Sequence, residues 1–211
     1  MTSGDGAERA GAHKGPVGWI GTGRMGSAMI ARLLEAGIAV TAYNRTASKL
    51  EPLVKAGAAA VGSIGALASL EVVFVTVSSS DDLVAVTCGA GGLLSSKDVP
   101  GVVVDASTVT AEASSQVRSA AAGRGAELLA APVSGNPGVV RGGQATFAVS
   151  GGRAAFARVA PLLQEIGKSA TYVGEGESAR LVKLCHNLFL GAVIQSLVEV
   201  TLLAEKSGVA R

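Results

Sequence analysis

Lys183 and Asn187 are the residues whose types and spacing most directly suggest chemistry. They lie four residues apart in a long segment without proline, so a helix would place both on one face. A lysine that faces a dry cleft can hold and protonate a carbonyl oxygen while the carbonyl carbon gains a hydride. An amide beside it could orient the lysine or the substrate. An isolated lysine on such a helix is also commonly a solvated residue, so the pair needs support from other segments.

Two polar loops could hold an anionic group close to this pair. The first is Asp105-Ala106-Ser107-Thr108, directly after an apolar run, and the second is the Gly/Pro/Asn-containing segment 131–137. Both follow predicted strands, and open α/β sheets bind ligands at the carboxyl ends of their strands. Hydroxyl and backbone N–H groups there could hold a carboxylate, or could equally serve as caps and turns.

The strongest binding signal is the glycine-rich loop Gly21-Thr22-Gly23-Arg24-Met25-Gly26. It lies between an apolar run and a helix-like segment, which is the context in which such a loop binds a dinucleotide. Gly21 permits the tight turn, Gly23 lets the pyrophosphate approach the backbone, and Gly26 lets helix and strand pack closely. The helix amino terminus offers unsatisfied N–H groups to the phosphates. We therefore expect this loop to bind a dinucleotide cofactor.

The triplet Asn44-Arg45-Thr46 follows the second predicted strand, where one residue selects the dinucleotide. A carboxylate there would accept hydrogen bonds from a ribose 2′-hydroxyl and repel a 2′-phosphate. None is present, and the Arg45 guanidinium can stack on adenine and grip a phosphate, with Lys49 adding charge. The triplet predicts NADP in preference to NAD, although Arg45 could also be a solvated loop residue. Val77 and Ser78, at the end of another apolar run, are further candidate cofactor contacts.

The elements that must position these residues follow from the hydrophobic pattern. From Pro16 onward, short apolar runs alternate with helix-like stretches, which predicts βαβ units and a mainly parallel sheet. Strands are predicted at 17–21, 39–43, 72–77, 101–105, 126–129, 146–150 and 170–173, and helices at 24–36, 47–56, 110–122 and 153–165. The fold class is α/β, a doubly wound Rossmann-type domain over 16–177. A tail without an apolar core, 1–15, precedes it.

Residues 178–206 differ from everything before them. At about 1.5 Å per residue they predict a helix roughly 40 Å long. Its middle, 188–203, is apolar nearly all round, but a membrane-spanning helix is disfavoured by the interrupting polar residues His186, Asn187, Gln195 and Glu199. A helix apolar on every side must be buried by other protein. We expect homo-oligomerisation through it, with 178–211 forming the start of a helical domain that is otherwise absent.

Composition and charge exclude several classes of partner. The net charge is +2, and the Lys and Arg residues are scattered, so a nucleic-acid partner is not expected. Cys88 and Cys185 form neither a CxxC pair nor a disulfide framework, which indicates two reduced thiols in a cytoplasmic protein without a metal site. The first fifteen residues fit neither a signal peptide nor a transit peptide.

The motifs GxGxxG, NRT, DxST, PVSG and GxGxxxxxxKxxxN, in this order over nearly the whole chain, resemble the β-hydroxyacid dehydrogenase family. Its members include 3-hydroxyisobutyrate dehydrogenases and glyoxylate/succinic semialdehyde reductases. The resemblance implies an NADP-dependent oxidoreductase that transfers a hydride between nicotinamide and a small 3-hydroxy acid, semialdehyde or keto acid. It also implies that Lys183 is catalytic and Asn187 assists it. Ser107 and Gly135 would contact the carboxylate end of the substrate, and Thr108 the cofactor.

Three departures from the family pattern leave alternatives open. Asn136 stands where many members have a second glycine, so its side chain is expected near the substrate, and Ala131 replaces a frequent aspartate. Family members also continue with a helical domain that closes the cleft and builds the dimer. One alternative is therefore a non-catalytic NADP-binding module or fragment. A second is an imine reductase, although members of that group typically carry Asp or Tyr in place of Lys183 and lack the DxST motif.

Overall fold

The computed structural model describes residues 15–209, in which nine strands form one sheet flanked by helices. The strands are β1 (Val17–Ile20), β2 (Val40–Tyr43), β3 (Ala59–Ala60), β4 (Val72–Val75), β5 (Val102–Asp105), β6 (Glu127–Ala130), β7 (Val133–Ser134), β8 (Thr146–Ser150) and β9 (Ser169–Gly174). The helices are α1 (Arg24–Glu35), α2 (Glu51–Lys55), α3 (Ser80–Cys88), α4 (Ala111–Ala122), α5 (Pro137–Arg141), α6 (Arg153–Ile166) and α7 (Ser178–Lys206).

The sheet is mainly parallel, as the sequence predicts. Its order is β3-β2-β1-β4-β5-β6-β8-β7, with β9 paired to β8. Strands β1 to β6 pair in parallel, whereas β8 runs antiparallel to β6 and β7. The chain moves outward from β1 to β3 and then returns to β4 on the other side of β1. This reversal opens a crevice at the carboxyl ends of β1 and β4, where such folds bind ligands.

The central strands are buried on both faces because helices cover the sheet on both sides. Trp19 in β1 is fully buried and stacks on Phe74 in β4, with ring centroids 4.7 Å apart and planes 6° from parallel. Its indole N–H donates to the Thr76 hydroxyl at 2.9 Å. The core is thereby joined to the segment that leaves β4, directly below the predicted cofactor loop.

Several short elements differ from the sequence prediction. The single helix expected over 47–56 consists of a 3-10 turn, Ala47–Leu50, followed by α2, which has a proline in its first turn. Helices α3 and α5 and strands β3 and β7 fall in segments for which no helix or strand was predicted. Elsewhere the predicted ends agree with the structure to within two residues. The tail expected over 1–15 lies outside the described residues except for Gly15.

Helix α7 has the predicted bounds and is exposed along most of its length. Its buried residues are Ala179 and Arg180, both in the first turn. Thirteen of its large apolar side chains are exposed: Leu181, Val182, Leu184, Leu188, Phe189, Leu190, Val193, Ile194, Leu197, Val198, Val200, Leu202 and Leu203. Within residues 15–209 it is also the one helix that is long and apolar enough to cross a membrane, a criterion that core helices of soluble proteins meet too.

Candidate functional site

The glycine-rich loop turns sharply between β1 and α1. Gly21 has a φ of +92°, and a Cβ at this position would collide with the Thr76 carbonyl oxygen. A Cβ at Gly26 would collide with the Gly21 carbonyl oxygen. Gly23 instead has open space around its missing side chain, and no side chain caps the helix that starts after it. Packing therefore requires the first and third glycines, while the second leaves room for a ligand beside free N–H groups.

A cavity of about 320 Å³ lies against this loop at the carboxyl ends of β1, β2 and β4. It brings together most of the predicted cofactor contacts: Gly21, Gly23, Asn44, Arg45, Thr46, Val77 and Ser78, with Lys49 beside them. The predicted contacts Thr22, Arg24, Met25 and Gly26 do not line it. Thr22 and Gly26 are buried, Met25 packs against the core, and Arg24 is exposed.

Asn44 holds the glycine loop in place. Its side-chain oxygen accepts a hydrogen bond from the Thr22 backbone N–H at 3.0 Å, and its side-chain nitrogen donates to the Thr46 carbonyl at 2.9 Å. Arg45 is far less constrained, because 88% of its side chain is exposed and its nearest charged partner, Asp82, is 3.8 Å away. Asp82 was missed in the sequence analysis. The Asp82 carboxylate thus lies beside Arg45, the guanidinium that was predicted to bind a phosphate.

A second cavity, of about 830 Å³, lies between the first turns of α7 and the loops that leave β4, β5 and β6. Lys183, Asn187 and Thr108 line it together, as the helical spacing and the resemblance led us to expect. Lys183 is half-buried, and this burial lowers its pKa from the usual lysine value because the charged form loses solvation. The structure thus places a partly desolvated amine and an amide on one wall of the cavity.

Ser107 is buried at the edge of this site and does not line the cavity. Its hydroxyl oxygen accepts a hydrogen bond from the Val77 N–H at 2.9 Å, and its own N–H donates to Asp105 Oδ1 at 2.9 Å. Ser107 thereby ties the end of β4 to the end of β5. The Ser107 hydroxyl also hydrogen-bonds to the Asp105 carboxylate and helps to lower the pKa of that group.

Gly135 and Asn136 form the turn into α5. Gly135 has a φ of +138°, and a Cβ there would lie 2.9 Å from Val139 Cγ1. Asn136 caps α5, and its side-chain oxygen accepts a hydrogen bond from the Val139 N–H at 3.0 Å. Neither residue lines the larger cavity. The side chain that was expected near the substrate thus also caps its own helix.

A buried ion pair lies beneath the larger cavity. Asp105, the last residue of β5, is fully buried and bonds to Arg180 in α7, whose side chain is 5% exposed. Arg180 also donates to the Ser107 carbonyl at 3.0 Å. Complete burial raises the pKa of Asp105, while the Arg180 guanidinium and the Ser107 hydrogen bonds oppose that rise. Arg180 carried no sequence signal, since its partner lies 75 residues away.

Potential metal ligands are dispersed. Over residues 15–209, no three His, Cys, Asp or Glu side chains come together in a way that would hold a metal ion. Cys88 is half-buried and Cys185 exposed, and both are free thiols.

Comparison with known proteins places residues 16–174 in the family described as the NAD binding domain of 6-phosphogluconate dehydrogenase. The chain is 34% identical to glyoxylate/succinic semialdehyde reductase 2, chloroplastic, of Arabidopsis thaliana, over 91% of the chain and 54% of that protein. It is 32% identical to 3-hydroxyisobutyrate dehydrogenase of Pseudomonas aeruginosa, over 91% of the chain and 65% of that protein. The chain thus spans between half and two thirds of the length of these relatives.

Solved structures show the same fold. Psf3 in complex with NADP+ and 2-OPP superposes with a TM-score of 0.84 and 32% identity, over 92% of this chain and 69% of Psf3. An imine reductase from Myxococcus stipitatus superposes with the same TM-score at 19% identity, which shows likeness of fold alone.

Proposed function

The chain belongs to the family of the NAD-binding domain of 6-phosphogluconate dehydrogenase, and we propose that it acts as an NADP-preferring oxidoreductase on small hydroxy acids. The hydride would pass between nicotinamide and a small 3-hydroxy acid, semialdehyde or keto acid. One observation carries this proposal: a single segment separates the two cavities. Val77 and Ser78 line the cavity at the glycine loop, whereas Ser79 and Ser80 line the cavity that contains Lys183. A ligand that fills the first cavity would therefore have one end next to the second cavity.

The residues fit a dinucleotide at the glycine loop. Gly23 leaves open space there, the first turn of α1 has no side-chain cap, and Arg45 and Lys49 supply positive charge. When bound, the dinucleotide gives or accepts the hydride. Arg45 and Lys49 would hold the 2′-phosphate, and the absence of a carboxylate from Asn44-Arg45-Thr46 supports a preference for NADP.

Lys183 would carry the proton in the reaction. Burial lowers the pKa of Lys183, which brings its proton transfer closer to neutral pH, where a general acid or base works best. In reduction its ammonium would hold the carbonyl oxygen and protonate it, and in oxidation its neutral amine would remove the hydroxyl proton. Asn187, one turn further along α7, would orient the substrate or the lysine.

The carboxylate end of the substrate is proposed to meet the loops after β5 and β7. The Ser107 hydroxyl lies just after β5, where it accepts a hydrogen bond from the Val77 N–H, and Gly135 and Asn136 form the turn after β7. Thr108 lies on the wall of the Lys183 cavity and would touch the nicotinamide end of the cofactor. The relatives named for small hydroxy acids and semialdehydes support this class of substrate.

Turnover and binding measured on the same material test the proposal. NADPH oxidation is followed with succinic semialdehyde, glyoxylate and methylmalonate semialdehyde, beside a direct titration of NADPH. Turnover of any of these aldehydes or keto acids supports the proposed activity. Binding without turnover supports a non-catalytic NADP-binding module. Turnover of a cyclic imine alone supports the imine reductase alternative, which Lys183 and the Asp105-Ala106-Ser107-Thr108 motif disfavour.

The remaining proposals concern domain organisation, assembly and location. We propose that 16–177 form the dinucleotide-binding unit and that the chain is a homo-oligomer through α7. Thirteen large apolar side chains are exposed there, and each stabilises an assembly by roughly 1.5–3 kcal/mol when fully buried. Polar residues along α7 support a helix that does not span a membrane, and the two free thiols support a cytoplasmic location. The low net charge disfavours nucleic acid as a partner.

A further inference from the structure

The first turn of α7 is attached to the sheet through buried polar groups. Arg180 bonds to Asp105 and to the Ser107 carbonyl, and its Nε lies 3.4 Å from Glu177 Oε2. Glu177 in turn accepts a hydrogen bond from Arg118 Nε at 2.9 Å. Two arginines and two carboxylates therefore balance one another between the end of β5, α4 and the start of α7.

Hydrogen bonds to backbone groups fix the same turn. The Ala179 N–H donates to the Ser150 hydroxyl oxygen at 3.1 Å, and that hydroxyl donates to the Gly176 carbonyl at 2.8 Å. Arg118 donates to the Gly176 carbonyl as well, at 2.8 Å. Beyond Arg180, no residue of α7 is buried within the described part of the chain. The direction of the helix is therefore set over the short stretch from 176 to 180.

Lys183 follows Arg180 by three residues, so the two side chains are neighbours on the helix surface. Both line the larger cavity, as do Glu177 and Thr108. Arg180 points down to the sheet, where it meets Asp105, while Lys183 remains half-buried on the cavity wall. A rotation of α7 about its axis would carry Lys183 away from the loops that leave β4 and β5.

We propose that Arg180 is a positioning residue: its bonds to Asp105 and Ser107 fix the rotation of α7 and so hold Lys183 over the cavity. This inference rests on the proposed function of Lys183. Geometric restraint is the contribution to expect from such a pair, because a buried ion pair adds little net stability compared with well-packed apolar side chains. Removing one partner alone leaves an uncompensated buried charge and destabilises the fold.

The decisive variant removes both charges at once, as Asp105→Leu with Arg180→Met. The net charge is unchanged, and no buried ion is left alone. A positioning role predicts a denaturation midpoint close to that of the unmutated protein and NADPH affinity within about twofold of it. It also predicts at least a tenfold lower kcat and a pKa of Lys183 that returns toward the usual lysine value. The pKa is measured by NMR on isotopically labelled lysine, so this readout does not depend on turnover.

The matched control removes an ion pair from the opposite edge of the sheet. Arg158 bonds to Glu71 at 2.7 Å and to Glu127 at 3.2 Å, where β4 and β6 begin. Arg158→Met should leave both kcat and the pKa of Lys183 unchanged. If the double variant keeps the activity and the lysine pKa of the unmutated protein, Arg180 serves stability alone and the inference is wrong.

A conservative variant covers the case in which the double variant does not fold. Arg180→Lys keeps a charge for Asp105 but lacks the fork that also reaches the Ser107 carbonyl. It should fold, keep NADPH affinity and lower kcat at least threefold, with the pKa of Lys183 rising. An unchanged kcat and pKa in this variant would contradict the positioning role. Absence of turnover in the unmutated protein would instead contradict the proposed function, and the NMR readout would still decide the role of Arg180.

Discussion

The preference for NADP depends on a competition for Arg45 that can be shifted by a single substitution. Asp82 Oδ1 lies 3.8 Å from the Arg45 guanidinium, and the Arg45 side chain is largely open to solvent while that of Asp82 is about one third exposed. The Asp82 carboxylate also accepts a hydrogen bond from the Ser79 hydroxyl, which holds it in the first turn of α3. A bound 2′-phosphate would have to draw Arg45 away from this carboxylate and tolerate the carboxylate's own negative charge. We therefore expect Asp82→Asn to tighten NADPH binding.

The size of this effect on NADPH binding follows from the solvent exposure of the ion pair. Two unit charges at this separation interact by about 1 kcal/mol in water, and measured exposed pairs contribute roughly 0.2–1 kcal/mol. Asp82→Asn should then strengthen NADPH binding about two- to fourfold and leave NADH binding unchanged. A hydrogen bond from a guanidinium to a charged group contributes about 1.5–3 kcal/mol. Arg45→Ala should therefore remove most of an NADPH over NADH preference of at least about tenfold, or ~1.4 kcal/mol.

The assay is a fluorescence titration of the chain with NADPH and with NADH, at low and at high salt. Because Arg45 is exposed, the NADPH preference should shrink as salt is added. Arg153→Ala is the matched control, since this arginine lies over the Tyr172 ring and does not line the cofactor cavity. Equal affinities for the two dinucleotides in the unmutated protein would refute the assignment of Arg45. Weaker NADPH binding by Asp82→Asn would refute the competition.

Four further predictions follow from the burial or exposure of particular side chains. Trp19 is fully buried, so its emission should be blue-shifted and quenched by NADPH, and a spectrum like that of free tryptophan would contradict the described β1. Lys183→Ala should lower kcat at least a hundredfold with NADPH affinity unchanged. A loss of kcat below fivefold, or an equal loss in Lys206→Ala, would show that Lys183 is a solvated residue without a catalytic role. Reduction requires the protonated Lys183 amine, so its rate should fall as the pH rises through the pKa of Lys183. Since burial lowers this pKa, the fall should occur below the usual lysine pKa. Sedimentation at tens of micromolar should show association that Leu188→Lys with Leu197→Lys weakens, and a compact monomer in the unmutated chain would contradict assembly through α7.

The long elements could be predicted because each carries a strong local pattern. Continuous apolar runs mark β1, β4 and β5, since parallel strands are buried on both faces. The missed helix α3 is short and has hardly any apolar stripe, although its start is signalled by Ser79, whose hydroxyl accepts from the Asp82 N–H. The antiparallel direction of β8 has no local signature, because it depends on the connections that precede the strand.

The site was predictable where its residues form a motif and not where they meet through the fold. The glycine loop and the spacing of Lys183 and Asn187 are visible in the sequence. The bonds of Ser107 to Val77 and of Arg180 to Asp105 join segments 30 and 75 residues apart, and no spacing rule reports them. Asp82 was missed for the same reason, since its ion pair with Arg45 joins residues that lie far apart in the sequence.

Helix α7 is attached to the rest of the structure at its first turn, so a small tilt there moves its far end by a larger distance. Its 29 residues extend about 43 Å at about 1.5 Å per residue, so a tilt of about 10° at the base moves the far end by about 7 Å. Displacements too small to break a hydrogen bond at Ala179 or Arg180 are thereby amplified several-fold at Leu203. The placement of the apolar surface at the far end therefore depends on the contacts of the first turn beneath the cavity. A partner that packs against the far end would therefore also influence the first turn, through the full length of the helix.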